Sequence, residues 1–109
     1  MRHPRFKISK DGSGQFTFNL TAANAEIILA SERYTSKASA EGGIEAVRVN
    51  ARSDERFERR VARDGLHYFV LKAVNGEVVG VGETYSSKAR MEDGILAVRA
   101  NAPIASVDA

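Results

Sequence analysis

The stretch YTSKASAEGGIEAVRVN at residues 34–50 returns as YSSKARMEDGILAVRAN at residues 85–101. Sliding the chain along itself by 51 positions aligns Phe18 with Phe69 and Tyr34 with Tyr85, and the match runs without a gap from Arg5/Arg56 to Ala51/Ala102. Repeat one is therefore residues 5–51 and repeat two residues 56–102, leaving 103–109 as a C-terminal strand or tail. A chain of 109 residues is one ordinary domain, too short for two independent cores of normal size. Each half must bury against the other what it cannot bury alone.

Within a repeat the hydrophobic period changes. Phe16, Phe18, Leu20 and Ala22 alternate with Thr17, Asn19 and Thr21, the pattern of a half-buried strand, and His67, Phe69, Leu71 and Ala73 copy it. A shorter strand precedes each, around Phe6 and Ile8 or around Phe57 and Val61, through the glycine-bearing turns DGSG and RDG. The turns ANAE and VNGE then lead into EIILAS and EVVGVG. Asn75-Gly76 predicts a type I′ turn, and Ala25 in the place of Gly76 predicts a different first turn, because alanine tolerates positive φ poorly.

The repeated motif itself reads as a helix. Ser36 and Ser87 stand where a side-chain oxygen caps the first free amides. Ala40, Gly43, Ile44, Val47 and Ala51 fall on one stripe at helical spacing, matched by Met91, Gly94, Ile95, Val98 and Ala102. Glycine inside a helix costs roughly 1 kcal/mol against alanine, so Gly43 and Gly94 predict a close approach between helix and strand. Asn50 and Asn101 are read as left-handed terminating residues, Pro103 as the stop after the second helix, and IASV as one last edge strand. The expected architecture is α+β: two tandem β-β-β-α repeats sharing one antiparallel sheet, with two helices on one face, related by a pseudo-twofold axis.

These motifs, with FNLTAANAE and FVLKAVNGE, resemble the YegP-like family of small bacterial proteins over almost the whole chain. The resemblance implies a continuous sheet in which a strand following each helix is exchanged into the other half. It also implies that single-repeat relatives build the same fold as dimers, so this chain is expected to be a monomer acting as an internal pseudo-dimer. The family has no assigned function and supplies no catalytic residues.

Composition narrows the function classes. Hydrophobic residues make up 43% and charged residues 28% of the chain, the profile of a globular protein. The absence of cysteine excludes disulfides, a thiolate nucleophile and a cysteine metal cage, and favours a cytoplasmic setting. Nothing approaches the ~20 apolar residues of a membrane span, and no leader or membrane association is expected. A net charge of +2 does not by itself argue for nucleic acid. With no glycine-rich phosphate loop and no metal or nucleophile spacing, no cofactor, metal or catalytic residue is expected; His67 reads as a packed ring.

Two sets of repeated polar residues remain. Lys37, Glu41 and Arg48, with Lys88, Glu92 and Arg99, run along one flank of each helix, where they receive an anionic ligand or partner, or else form an i,i+4 pair with Arg48 laid over the core edge. Tyr34 and Tyr85, preceded by Glu32 and Glu83, either bind something at each helix start or pack beneath the helix. The segment from Arg48 to Arg63 is rich in arginine, with Arg56, Glu58 and Arg60 expected on one strand face. Tyr68, Val70, Ile27 and Val78 are expected to make the helix-free sheet face moderately apolar. The functional expectation is a non-enzymatic protein-binding or structural module. The alternative is a weak single-stranded nucleic-acid binder using Arg56, Arg60, Tyr68 and the open sheet face.

Overall fold

The alternating and helical periods of each repeat become the same four elements twice. In the computed structural model, which describes residues 3–108, these are β1 (Arg5–Lys10), β2 (Phe16–Thr21), β3 (Ile27–Ala30) and α1 (Lys37–Asn50), then β4 (Phe57–Val61), β5 (His67–Lys72), β6 (Val78–Val81) and α2 (Lys88–Asn101). A 3-10 turn at Asp54–Arg56 precedes β4, and β7 (Ser106–Asp108) closes the chain. All seven strands form one sheet in the order β4-β5-β6-β3-β2-β1-β7.

The sheet is mixed, not wholly antiparallel as expected: β7 runs parallel to β1, pairing Arg5 with Ser106 and Lys7 with Asp108. The chain reaches this edge from a helix and not through a hairpin, so no tight turn dictates its direction. The exchange implied by the resemblance is present after α2, whose strand lies on the edge of the first half. After α1 the chain instead enters β4, itself the first strand of repeat two.

The halves meet where β3 pairs antiparallel with β6 through Ala30 and Val81. These occupy the same repeat position, so the pseudo-twofold axis passes between them. Beside the axis, Leu29 has Gly80 as its copy, and a Cβ on Gly80 would stand 2.6 Å from Leu29 Cδ2. Two side chains related by an axis compete for one space; here one leucine fills it and its twin has no side chain. Each helix bridges the seam, α1 packing on β2 and β6 and α2 on β5 and β3. Phe6, Phe18, Leu20, Ile44 and Val47 join Phe69, Leu71, Ile95 and Val98 in one buried cluster drawn from both repeats.

The hairpin turns depart from the type I′ expectation. Type I′ needs positive φ at both central residues, yet each turn has one such residue, at Gly14, Ala25, Gly65 or Gly76. Each closes by an amide from that residue to a carbonyl three back, as in Ala25 N to Ala22 O and Gly76 N to Ala73 O at 2.9 Å. This is the three-residue form in which a turn is followed by one left-handed residue. The Asn24 and Asn75 carboxamides accept from the Glu26 and Glu77 amides at 3.0 Å, which pulls both turns into the same shape. The first turn therefore does not differ, and Ala25 is held at φ 70°. Ala25→Gly is expected to stabilise the protein by about 0.5–1 kcal/mol, since the left-handed penalty it relieves exceeds the added freedom of the unfolded chain. Urea denaturation checks this; an unchanged or lowered midpoint contradicts it.

Ser36 and Ser87 cap the helices, accepting from the Ser39 and Arg90 amides at 3.0 and 3.2 Å. Asn50 and Asn101 do not terminate them in the left-handed region: φ is positive at no non-glycine residue but Ala25 among those described. Their side chains reach back to donate to Ala46 O and Ala97 O at 2.8 and 2.7 Å, while Ala51 and Ala102 cap in right-handed geometry.

Candidate functional site

The backbone fixes where each tyrosine goes. Tyr34 exchanges both main-chain hydrogen bonds with Phe16 at 2.7 and 2.8 Å, and Tyr85 does so with His67 at 2.7 and 2.8 Å. These bridges continue the sheet by one residue and send each ring under the following helix. A Cβ on Gly43 would lie 2.3 Å from Tyr34 Oη, and one on Gly94 2.3 Å from Tyr85 Oη. The helical glycines thus make room for tyrosine rings and not for strand backbone. Tyr34 also stacks on Phe18, with centroids 6.1 Å apart. Burial, then Glu32 and Glu77, push the Tyr34 phenol above its ordinary value; burial, then Glu83 and Glu26, do the same at Tyr85. Each ring therefore feels a carboxylate from its own repeat and one from the other.

The helix-flank residues separate into different roles. Arg48 donates to Ala102 O at 2.9 Å, and Arg99 donates to Arg52 O at 3.3 Å. Each arginine thereby serves carbonyls at the C-terminal end of the opposite helix, where a cation is favoured. Arg48 also lies 5.0 Å over the Phe6 ring and pairs with Glu45 at 3.1 Å. Glu92 receives Arg59 in a two-point contact at 2.9 and 2.9 Å. Glu41, its copy, pairs with no cation among the described residues, and the expected Lys37–Glu41 ion pair does not form there. Lys37 and Glu41 are exposed, as is Lys88. They are individual solvated side chains.

Arg59 was not distinguished by its sequence context, although one sign was present: its copy is Ile8, so an arginine stands at a helix-facing position of the alternation. It also holds Asp54 at 2.7 Å and donates to Phe57 O at 3.1 Å. The Phe57 amide meanwhile donates to Asp54 O within the 3-10 turn. Turn and guanidinium together occupy the start of the β4 edge, as β7 covers the edge of β1, and such coverage discourages strand addition by another chain.

Hydrogen bonding to Arg59 lowers both Glu92 and Asp54 below their ordinary values of 4.5 and 3.8. A carboxylate lowered on folding contributes stability above its unfolded value, and that contribution is lost as pH falls through the folded one. The urea midpoint should therefore decline between about pH 5 and pH 2. Arg59→Ala should lower the midpoint at neutral pH and flatten that decline, whereas an acid limb identical to wild type contradicts the assignment.

The helix-free sheet face differs between halves. In half two Glu58 accepts from Arg60 Nε and from Lys72 Nζ, the latter at 2.8 Å, and Lys72 and Arg60, in that order, draw its carboxyl down. Val70, across from Glu58 in the hairpin, is only 2% exposed. Tyr68 sits across from Arg60, half-buried like Val78, while Ile27 is exposed. The expected moderately apolar face thus exposes Ile27, and Tyr68 and Val78 in part, beside the charges of Glu58, Arg60 and Lys72. Arg56 ends the 3-10 turn and does not share the strand face of Glu58 and Arg60. In half one the same face carries a shallow concavity of about 440 Å³, with Arg5, Lys7, Ser9, Asn19 and Thr21 among its lining residues. Among the described residues, no Asp or Glu lines it. A smaller hollow of about 330 Å³ beside α2 is lined by Arg59, Arg60, Val61, His67, Lys88 and Met91. No helix of the described residues is long and apolar enough to cross a membrane.

Comparison with known proteins places this arrangement in a group. The profile of a "Domain of unknown function (DUF1508)" matches twice, at residues 11–58 and 62–108. The "UPF0339 protein PA0329" of Pseudomonas aeruginosa is 50% identical over 103 residues, covering 94% of each chain. The "UPF0339 protein YegP" of Escherichia coli K12 is 47% identical over 96 residues, covering 88% of this chain and 87% of its own. The solution NMR structure of the E. coli yegP protein superposes with a TM-score of 0.92 at 42% identity, covering 99% of this chain and 93% of that one. Two matched copies of one domain of unknown function, these relatives and the shared fold establish that the chain belongs to the UPF0339, YegP-like family.

Proposed function

We propose that this protein is a cytoplasmic, non-enzymatic binding module that engages a protein partner through the helix-free face of its sheet. The observation that carries the reading is a division of labour among polar residues. Several of those repeated in or just before the helices serve internal contacts, with Arg48 and Arg99 at helix ends, Glu92 on Arg59, and Tyr34 and Tyr85 against helical glycines. The residues lining the concavity over β1 and β2 include Lys7 and Ser9, both exposed. Lys37 and Glu41 stand apart as single exposed charges, and Lys88 lines the smaller hollow beside α2.

The nucleic-acid alternative is weaker on this geometry. Arg59 and Arg60 are committed to Glu92, Asp54 and Glu58, so the arginine-rich segment offers no continuous cationic track for phosphates. Tyr68 is a lone half-buried ring, where stacking on single strands uses successive aromatic platforms.

Position-resolved photo-crosslinking in cells tests the reading. A crosslinking amino acid at Lys7 or Ser9 should yield a discrete protein adduct, and one at Glu41 or Arg90 on the helix side should not. Adducts from the helix side alone contradict the assignment of the face, and a nucleic-acid adduct at Arg60 or Tyr68 favours the alternative.

A further inference from the structure

From the difference between the two halves we infer that the concavity over β1 and β2 receives a carboxylate from an acidic segment of the partner, with Lys7 as its principal cation. The inference rests on the binding-module reading and specifies its ligand chemistry.

The second repeat shows which group this part of the face holds. At the position equivalent to Lys7 stands Glu58, whose carboxylate lies on the sheet surface between Arg60 and Lys72. The copies of those cations are Ser9 and Thr21. Half two thus carries its own carboxylate with cations to meet it, whereas half one carries cations and hydroxyls, and the carboxylate beside them is Asp108 of β7, the parallel register neighbour of Lys7. Arg5 is already engaged by Asp108 of β7 at 3.0 Å, an internal example of an acidic extended strand settling at this edge. Lys7 has no ion-pair partner among the described residues. Its register neighbour across the hairpin is Asn19, a side chain able to donate to the same oxygen. A carboxylate delivered here completes the charge pairing that Glu58 makes internally in the other half, and charge complementarity of this kind sets specificity and association rate. Phosphate would find one free lysine and no bidentate guanidinium, the weaker arrangement for that anion.

The test titrates the full-length protein with a ten-residue glutamate-rich peptide, following backbone amides by NMR, with inorganic phosphate and an oligothymidylate as parallel arms. The peptide is expected to shift Lys7, Asn19 and Thr21, and Lys7→Glu is expected to weaken it by about tenfold or more, while Lys7→Arg retains binding. Equal thermal midpoints for wild type and variants exclude a folding defect, since Lys7 is exposed. Unchanged affinity in Lys7→Glu, or no peptide shift in the concavity, overturns the inference. Stronger shifts of the same amides by phosphate or oligothymidylate overturn the carboxylate assignment while leaving the face as a binding surface. Peptide shifts confined to Lys37 and Lys88 overturn the face as well.

Discussion

Replacing Phe69 by alanine is expected to lower the unfolding free energy by about 3–5 kcal/mol, the range for removing a buried phenylalanine. Phe69 is 0% exposed and makes an edge contact with Phe57 at 5.6 Å. Its surroundings have little freedom to collapse: Gly82 lies so close that a Cβ there would meet the Phe69 ring at 2.4 Å, and Leu71 and Met91 are themselves fully buried. Deletion therefore leaves a void as well as lost transfer energy. Against the 5–15 kcal/mol that a domain of this kind possesses, the loss brings the protein near the edge of folding. The seam has a further consequence: because α1 packs on β6 and α2 on β3, probes in both repeats should report one lowered urea midpoint. A stable first repeat in the variant contradicts the shared core.

The second large effect concerns a single added carbon. Gly43→Ala places Cβ 2.3 Å from Tyr34 Oη, 2.7 Å from Cζ and 3.0 Å from Phe18 Cε2, all inside ordinary contact. The tyrosine cannot retreat easily, since its backbone is bound to Phe16 and its ring stacks on Phe18. Helix propensity favours alanine by roughly 1 kcal/mol, yet overpacking of this kind costs typically 1–3 kcal/mol and sometimes more, so a net loss of about 1–2 kcal/mol is expected. The sign is the informative part, because at an unobstructed helical position the same change stabilises. Tyr34→Phe removes the nearest atom, and the double variant should lose less than the two single losses added together. Additive losses, or a stabilising Gly43→Ala, remove the tyrosine from beneath the helix.

Much of the architecture was legible because duplication supplied a second reading of every element. Alternation at Phe16–Ala22 and His67–Ala73 marked the central strands, and the serine caps marked the helix starts. What escaped were features set by geometry between segments and not by any one segment's pattern. The type I′ expectation at Asn75-Gly76 rested on a dipeptide preference, and the asparagine side-chain contact two residues ahead selected the longer turn. Helical glycines signalled close approach, and the tyrosines signalled packing beneath the helix, but only the Phe16–Tyr34 bridge joins the two. Asn50 and Asn101 looked like left-handed terminators because asparagine tolerates that region; reaching back to a carbonyl one turn earlier is an equally local use of the same amide. At the candidate surface, the asymmetry between Lys7 and Glu58 was visible as a departure from the repeat. Its meaning depended on Arg60 and Lys72 converging across neighbouring strands, which alternation within one strand does not reveal.

The central claim is that both repeats fold as one cooperative unit, and native-state hydrogen exchange on intact wild-type and Phe69→Ala protein tests it most directly. The account predicts that the most protected amides of β2, in repeat one, lose the same free energy of opening as those of β5, which carries the substitution. Undiminished protection in β2 beside reduced protection in β5 would show two independent units and contradict it.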